Sequence, residues 1–236
     1  MIIIPARLGS TRFPQKILCD IGGMPMFIRS AKNAQEIDEV ILALDSHETC
    51  EIAKQYNIQY VMTDPAISNG SLRVLEASKI LGLKSDTTII NLQADEPFLE
   101  HSVILSLRDS MHDNPFMATC AKEIDSENAQ NPNIVKVVLN HNSEAIYFSR
   151  SCIPFYRDNA NVEQKYLGHL GLYAYSKESL EELADLPETE LENIEKLEQL
   201  RAIYYNKIIK VVCVESHSIG IDTPQDLEEA KKMYGI

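Results

Sequence analysis

Arg7, Arg12 and Lys16 surround a Gly9-Ser10-Thr11 turn that follows closely on the apolar run Met1 to Ile4. Three cations and small residues at the mouth of a first strand are chemistry for a phosphate-bearing ligand. Glycine lets the backbone approach an anion without a Cβ in the way, and Ser10, Thr11 and main-chain amides can donate hydrogen bonds. The cations can neutralise a triphosphate and the charge passed to a departing pyrophosphate. Neither the Walker phosphate loop nor the dinucleotide fingerprint is present, because their glycine and Gly-Lys-Ser/Thr spacings are absent. A solvated basic loop is the alternative when this stretch is viewed alone.

A second group, Asn91-Leu92-Gln93-Ala94-Asp95-Glu96-Pro97, follows an apolar run, and Gly220-Ile221-Asp222-Thr223-Pro224 follows another near the end of the chain. Asp95 and Asp222 are candidate ligands for Mg²⁺, whose remaining positions polyphosphate oxygens and water can fill. Asp222 can equally cap the helix that begins there. Gln93 can orient a polar substrate without adding charge. In Ala66 to Arg73, Asn69 and Gly70 can read a base edge, while Arg73 either contacts phosphate or braces the loop. Further along, Arg150 can pair with a sugar carboxylate or serve as an internal brace. His169 or Tyr173 can bind hydroxyls, and Glu198 lies on an acidic stripe that is either a sugar ligand or a solvated face.

These groups need strands and helices to hold them. Strand-like runs at 1–4, 39–44, 58–62 and 88–92 alternate with helical patterns near 25–35, 47–55 and 70–81, the rhythm of βαβ units and a parallel sheet. Ligands gather at the carboxyl ends of such strands. After residue 115, short strands are predicted around 116–121, 134–138, 144–148 and 170–175. The spacing of Leu191, Ile194, Leu197, Leu200 and Ile203 predicts one long amphipathic helix over 187–206. A strand over 208–214 and a helix starting at Thr223-Pro224 close the pattern. The fold class is therefore α/β, a mixed, mainly parallel sheet flanked by helices. Residues 1–236 are read as one domain with a small middle lobe near 125–185.

Composition narrows the partners. With 22 basic against 35 acidic residues, a formal charge of -13 disfavours nucleic acid and anionic membrane surfaces. No apolar run approaches a membrane span, and no secretory leader is recognisable, so a cytoplasmic protein is expected. The five cysteines are scattered and odd in number, which suits reduced, structural thiols.

Taken in order, Ile4-Pro5-Ala6-Arg7-Leu8, Ser10-Thr11-Arg12-Phe13-Pro14 with Lys16, Gln93 with Asp95-Glu96-Pro97, Asn131-Pro132-Asn133, Tyr147-Phe148-Ser149-Arg150, Leu197-Glu198-Gln199-Leu200-Arg201 and Gly220-Ile221-Asp222-Thr223-Pro224 resemble the 3-deoxy-manno-octulosonate (Kdo) cytidylyltransferases. The resemblance spans nearly the whole chain. It implies a nucleotide-sugar transferase-like fold, a homodimer, and the reaction of CTP with an acidic sugar to give the CMP-sugar and pyrophosphate. It implies that Arg7, Arg12 and Lys16 bind the CTP phosphates, to which the reading of the residues themselves adds Ser10, Asn69, Gly70 and Arg73 on the nucleotide. Asp95 and Asp222 would hold Mg²⁺, and Gln93, Arg150, His169, Tyr173 and Glu198 would face the sugar. The chain departs from the family pattern at Ser46, Ile67, Leu72 and Ala94. A cytidylyltransferase for an amino-modified octulosonate or another acidic sugar, or a CTP-binding regulatory relative, are the alternatives.

Overall fold

The computed structural model describes residues 1–9, 13–67, 69–157 and 164–236. They form two compact units, Met1–Leu105 with Ser216–Ile236, and Ser106–Glu215.

The first unit opens with β1 (Ile2–Ala6), α1 (Met26–Gln35), β2 (Val40–Leu44), α2 (His47–Gln55), β3 (Gln59–Met62), α3 (Gly70–Ile80), β4 (Thr88–Asn91) and the start of α4 (His101–Asp109). Its strands lie in the order β3-β2-β1-β4, all parallel, as the alternation of elements predicts. Every residue of β1 and β2 is buried, and each fully buried isoleucine or leucine there contributes about 1.5–3 kcal/mol. Pro5 has no N–H to donate. The β1–β4 ladder ends just before it, at the bond from the Leu92 N–H to the Ile3 carbonyl, and beyond that bond the two strands part.

The second unit contains β5 (Met117–Ile124), α5 (Ser126–Gln130), β6 (Lys136–Leu139), β7 (Ala145–Ser149), β8 (Tyr166–Ser176), α6 (Lys177–Asp185), α7 (Glu190–Glu195), α8 (Gln199–Tyr204) and β9 (Ile209–Cys213). β5 pairs antiparallel with β8 and parallel with β9, while β6 pairs antiparallel with β7 and β8. The chain then returns to the first unit with α9 (Pro224–Tyr234). Thr223 and Asp226 form a capping box at its start, Pro224 occupies the first turn, and Gly235 closes it at φ 67. Ile21, Met26, Ile221, Leu227 and Ala230 share one buried cluster, with Phe13 and Tyr234 packed against it. The loop after β1 and the last helix are therefore joined by a common core.

The long helix predicted over 187–206 is two helices. Lys196 takes the left-handed conformation at φ 54, donates its N–H to the Glu192 carbonyl and stops α7. Arg201 of α8 reaches back to both carboxylate oxygens of Glu192, at 2.5 and 2.8 Å. The reversal splits the apolar periodicity: Leu197 and Leu200 are buried, whereas Leu191 and Ile194 face solvent. Periodicity alone cannot register a single left-handed residue. Lys196→Gly is expected to leave stability unchanged or slightly higher, since glycine adopts φ > 0 without a Cβ clash. Lys196→Val is expected to lower it by about 1–2 kcal/mol, and urea unfolding of the two variants measures the difference.

Candidate active site

Where β1 and β4 part, a cavity of about 300 Å³ opens, bordered by Pro5 and Ala6 on one side and by Gln93, Ala94 and Asp95 on the other. Its position at the carboxyl ends of parallel strands is where α/β sheets bind ligands. Arg7, Gly9, Lys16, Asn69, Gly70, Arg73 and Asp222 also line it.

The arrangement centres on Lys16. Its ammonium donates to Asp95 Oδ2 at 2.5 Å and to Asp222 Oδ1 at 2.8 Å. The two carboxylates, 127 positions apart in the chain, therefore converge on a single cation. Two backbone features bring them there. Gln15, at φ 53, precedes a short 3₁₀ turn over Lys16–Leu18, and the Ile221 N–H donates to the Asp95 carbonyl at 2.9 Å. Burial alone would lower the Lys16 pKa, but the two carboxylates outweigh it and raise the pKa above the usual lysine value. The side chain stays cationic at neutral pH.

Asp222 is not the helix cap. Thr223 performs that task, and the Asp226 carboxylate takes the Asp222 and Thr223 N–H groups. The Asp222 carboxylate instead lines the cavity and accepts from Lys16. Ala94 has no positive φ, so alanine fits its position without backbone strain.

Arg73 is 2% exposed. Its guanidinium donates to Thr63 Oγ1 at 2.5 Å, the Ile67 carbonyl at 2.6 Å and the Asp64 carbonyl at 3.4 Å. Asp45 lies 3.9 Å away and also accepts the Leu8 N–H. Of the two sequence readings, bracing the loop is the one this geometry describes. Burial lowers the Arg73 pKa, with the nearby positive charge of Arg7 adding to the effect. Asn69 caps α3 by accepting from the Ser71 and Leu72 N–H groups, and Gln93 donates to Asn91 Oδ1 at 3.0 Å. Ser10 and Arg12 lie outside the described residues.

Arg150, His169, Tyr173 and Glu198 belong to the second unit. The Arg150 guanidinium donates to the carbonyls of Glu195, Pro132 and Lys196, at 2.7, 2.9 and 3.5 Å. Its Nε edge, which a two-point grip on a carboxylate would use, already holds backbone oxygen. Lys136, fully buried, secures the same corner through the carbonyls of Arg150, Ile134 and Asn131 at 2.6, 2.7 and 3.0 Å. The Glu195 carboxylate accepts from the Ser149 hydroxyl and the Arg150 N–H. His169 and Tyr173 lie side by side with ring centroids 5.5 Å apart. Burial pushes the His169 imidazole down to about 3. It also raises the Tyr173 phenol, an effect that Glu198 reinforces.

Sequence reasoning missed Asp45, Lys136 and Glu195. A lysine inside the apolar stretch Ile134-Val135-Lys136-Val137-Val138 was the available signal, since a buried ammonium needs several acceptors.

A cytidylyltransferase family model matches residues 1–211. The chain is 52% identical to the 3-deoxy-manno-octulosonate cytidylyltransferase of Helicobacter pylori, over 99% of this chain and 97% of that one. It is 49% identical to the protein of the same name from Wolinella succinogenes, over 100% and 99%. This chain belongs to the 3-deoxy-manno-octulosonate cytidylyltransferase family. A solved CMP:2-keto-3-deoxy-manno-octonic acid synthetase complexed with CTP superposes on this family member with a TM-score of 0.92 at 34% identity, covering 99% of this chain and 97% of the other. The mixed α/β class expected from the sequence is that of this structural family.

For the metal expected in this family member, two hard carboxylate oxygens on one cation are a suitable start. Their separation cannot exceed the sum of their contacts to Lys16 Nζ. Among the described residues, no group of three or more His, Cys, Asp or Glu side chains could hold a metal. Asp95 and Asp222 would offer a divalent ion two carboxylate ligands, with its other positions open to phosphate oxygens and water.

The His169 shift carries a pH signature. Its folded pKa, about 3, lies below the ordinary 6.5. The unfolded chain therefore binds the extra proton first as pH falls. The stabilisation is whole above about pH 6.5 and is lost as pH drops toward 3. Thermal melts between pH 7 and 4 are expected to fall more steeply for the wild type than for His169→Gln.

Proposed function

We propose that this chain transfers CMP from CTP to the anomeric hydroxyl of 3-deoxy-manno-octulosonate, releasing pyrophosphate. The observation that carries the reading is the convergence of Lys16, Asp95 and Asp222 at the cavity between β1 and β4. The names of the close relatives supply the nucleotide and the sugar.

Arg7 and Lys16 hold the phosphates of CTP and oppose the charge that accumulates as pyrophosphate departs. Lys16 begins between two carboxylates, so its ammonium reaches the phosphates by exchanging one set of anionic partners for another. Asp95 and Asp222 hold Mg²⁺, which when bound supplies Lewis-acid neutralisation of phosphate charge. Asn69 and Gly70 border the nucleotide, and Arg73 shapes its loop from beneath. Gln93 is the first unit's candidate for the sugar, and His169, Tyr173 and Glu198 are the second unit's candidates, as the family resemblance implies. Arg150 serves that set by fixing the chain ahead of Glu198, and its remaining N–H groups are the ones available to the sugar carboxylate. A fixed array of charges and donors gives most of the rate, because phosphoryl-type transfer depends chiefly on positioning and charge stabilisation.

The reading includes a cytoplasmic homodimer. No helix among the described residues is long and apolar enough to cross a membrane. Phe155 and Ile194 expose 86% and 69% of their surface, apolar area that a second copy would cover.

The test is turnover of CTP and UTP with Kdo and a panel of other acidic sugars in Mg²⁺, following nucleotide-sugar and pyrophosphate together. CTP with Kdo is expected to give the highest kcat/KM, and preference for another sugar or another nucleotide sinks the assignment. Asp95→Asn and Asp222→Asn are each expected to lower kcat by about 10²-fold or more while remaining folded by circular dichroism. Sedimentation velocity is expected to give a dimer for the wild type and a shift toward monomer for Phe155→Glu with Ile194→Glu.

A further inference from the structure

β8 follows β5 in one register from Ile124↔Tyr166 to Cys120↔Leu170, and then Thr119 pairs with Tyr173. Gly171 and Leu172 are therefore extra residues, a bulge in β8. Four residues of regular strand would separate His169 from Tyr173 by about 13 Å, yet their ring centroids are 5.5 Å apart. Bulges re-aim side chains in this way beside functional sites.

Thr119, fully buried on β5, sits under the bulge. Its Oγ1 lies 2.7 Å from the Leu172 carbonyl and 3.2 Å from the Leu170 carbonyl. The same oxygen is 2.9 Å from His169 Nε2. A hydroxyl has one proton, and a carbonyl can only accept. The Thr119 proton therefore goes to a carbonyl, and its lone pair must take a proton from Nε2. A neutral imidazole carries one N–H, so Nδ1 is left as an acceptor. The low pKa of His169 keeps the ring neutral across the working range. Among the described residues, Nδ1 has no hydrogen-bond partner.

We propose that Thr119 is a positioning residue that locks His169 in the Nε2–H tautomer, so that Nδ1 accepts a hydrogen bond from a hydroxyl of the acidic sugar. The bulge brings the Tyr173 ring, whose phenol can donate, to within 5.5 Å of the imidazole, centroid to centroid. The assignment rests on the proposed role of His169 and Tyr173 at the sugar. It makes the pair a specificity device: a sugar lacking the matching hydroxyl leaves a half-buried acceptor unpaired.

The test uses the full-length protein labelled with ¹⁵N at histidine. Long-range proton–nitrogen correlation reads the tautomer, and the resonance lost in His169→Gln identifies the ring among the six histidines. The wild type and Thr119→Ser are expected to show a protonated Nε2, and Thr119→Val a mixture of tautomers. In steady state, Thr119→Val is expected to raise the KM for Kdo by about tenfold, with the KM for CTP unchanged and Thr119→Ser close to wild type. An Nδ1–H tautomer in the wild type overturns the proposal, and that measurement requires no variant to fold. A wild-type KM for Kdo in Thr119→Val whose tautomer has become mixed also overturns it. If the wild type shows the Nε2–H ring but does not turn over Kdo at all, the substrate reading falls and the Thr119–His169 lock stands.

Discussion

One ammonium held between two carboxylates organises the first unit. Lys16 stands 79 positions from Asp95 and 206 from Asp222, and its contacts to both are short. Two acids this close repel each other unless a cation lies between them. Lys16 supplies that cation from within the chain, so the fold can keep the acids together before any ligand arrives. The rest of the unit serves this contact. The β1–β4 ladder ends before Pro5, the Asp95 carbonyl receives the Ile221 N–H, and the capping box of α9 keeps Asp222 from being consumed as a helix cap.

One corner of the second unit meets a different constraint, holding the buried Lys136 and the half-buried Arg150. Lys136 and Arg150 rest chiefly on backbone carbonyls, drawn from the 131–134 segment and from the end of α7. A partial negative charge on several oxygens replaces one full charge and fixes chain segments at the same time. Glu195 completes the corner by accepting from Ser149 and Arg150. Glu198 begins only three residues further on, so the clamp sets where that acid enters α8.

Much of this was legible in the chain. Parallel strands buried on both faces read as unbroken apolar runs, and short polar motifs at their carboxyl ends mark the site. Lys16, Asp95 and Asp222 were found on that basis, and Thr223-Pro224 marked the start of α9. The break at Lys196 was not legible, because one residue with φ > 0 leaves the apolar spacing of the flanking segments untouched. The burial of Arg73 was not legible because its acceptors are mostly carbonyls of a loop, which have no residue type. The bulge in β8 is hidden for a more general reason. Strand side chains alternate with period two, so inserting two residues returns every later side chain to its expected face.

The return of the chain after residue 215 has a consequence for biosynthesis. Asp222 and the apolar face of α9 complete the first unit, although the strands of that unit all precede residue 92. A ribosome that has released the chain only a little beyond Asp95 has made the parallel sheet, Lys16 and the first acid but not the second. Lys16 then faces Asp95 alone, and the core shared by Ile21, Met26 and Leu227 stays open. Translation has to proceed through the whole of the second unit before the charge cluster can close, so the closed site marks a chain made at least as far as Asp222.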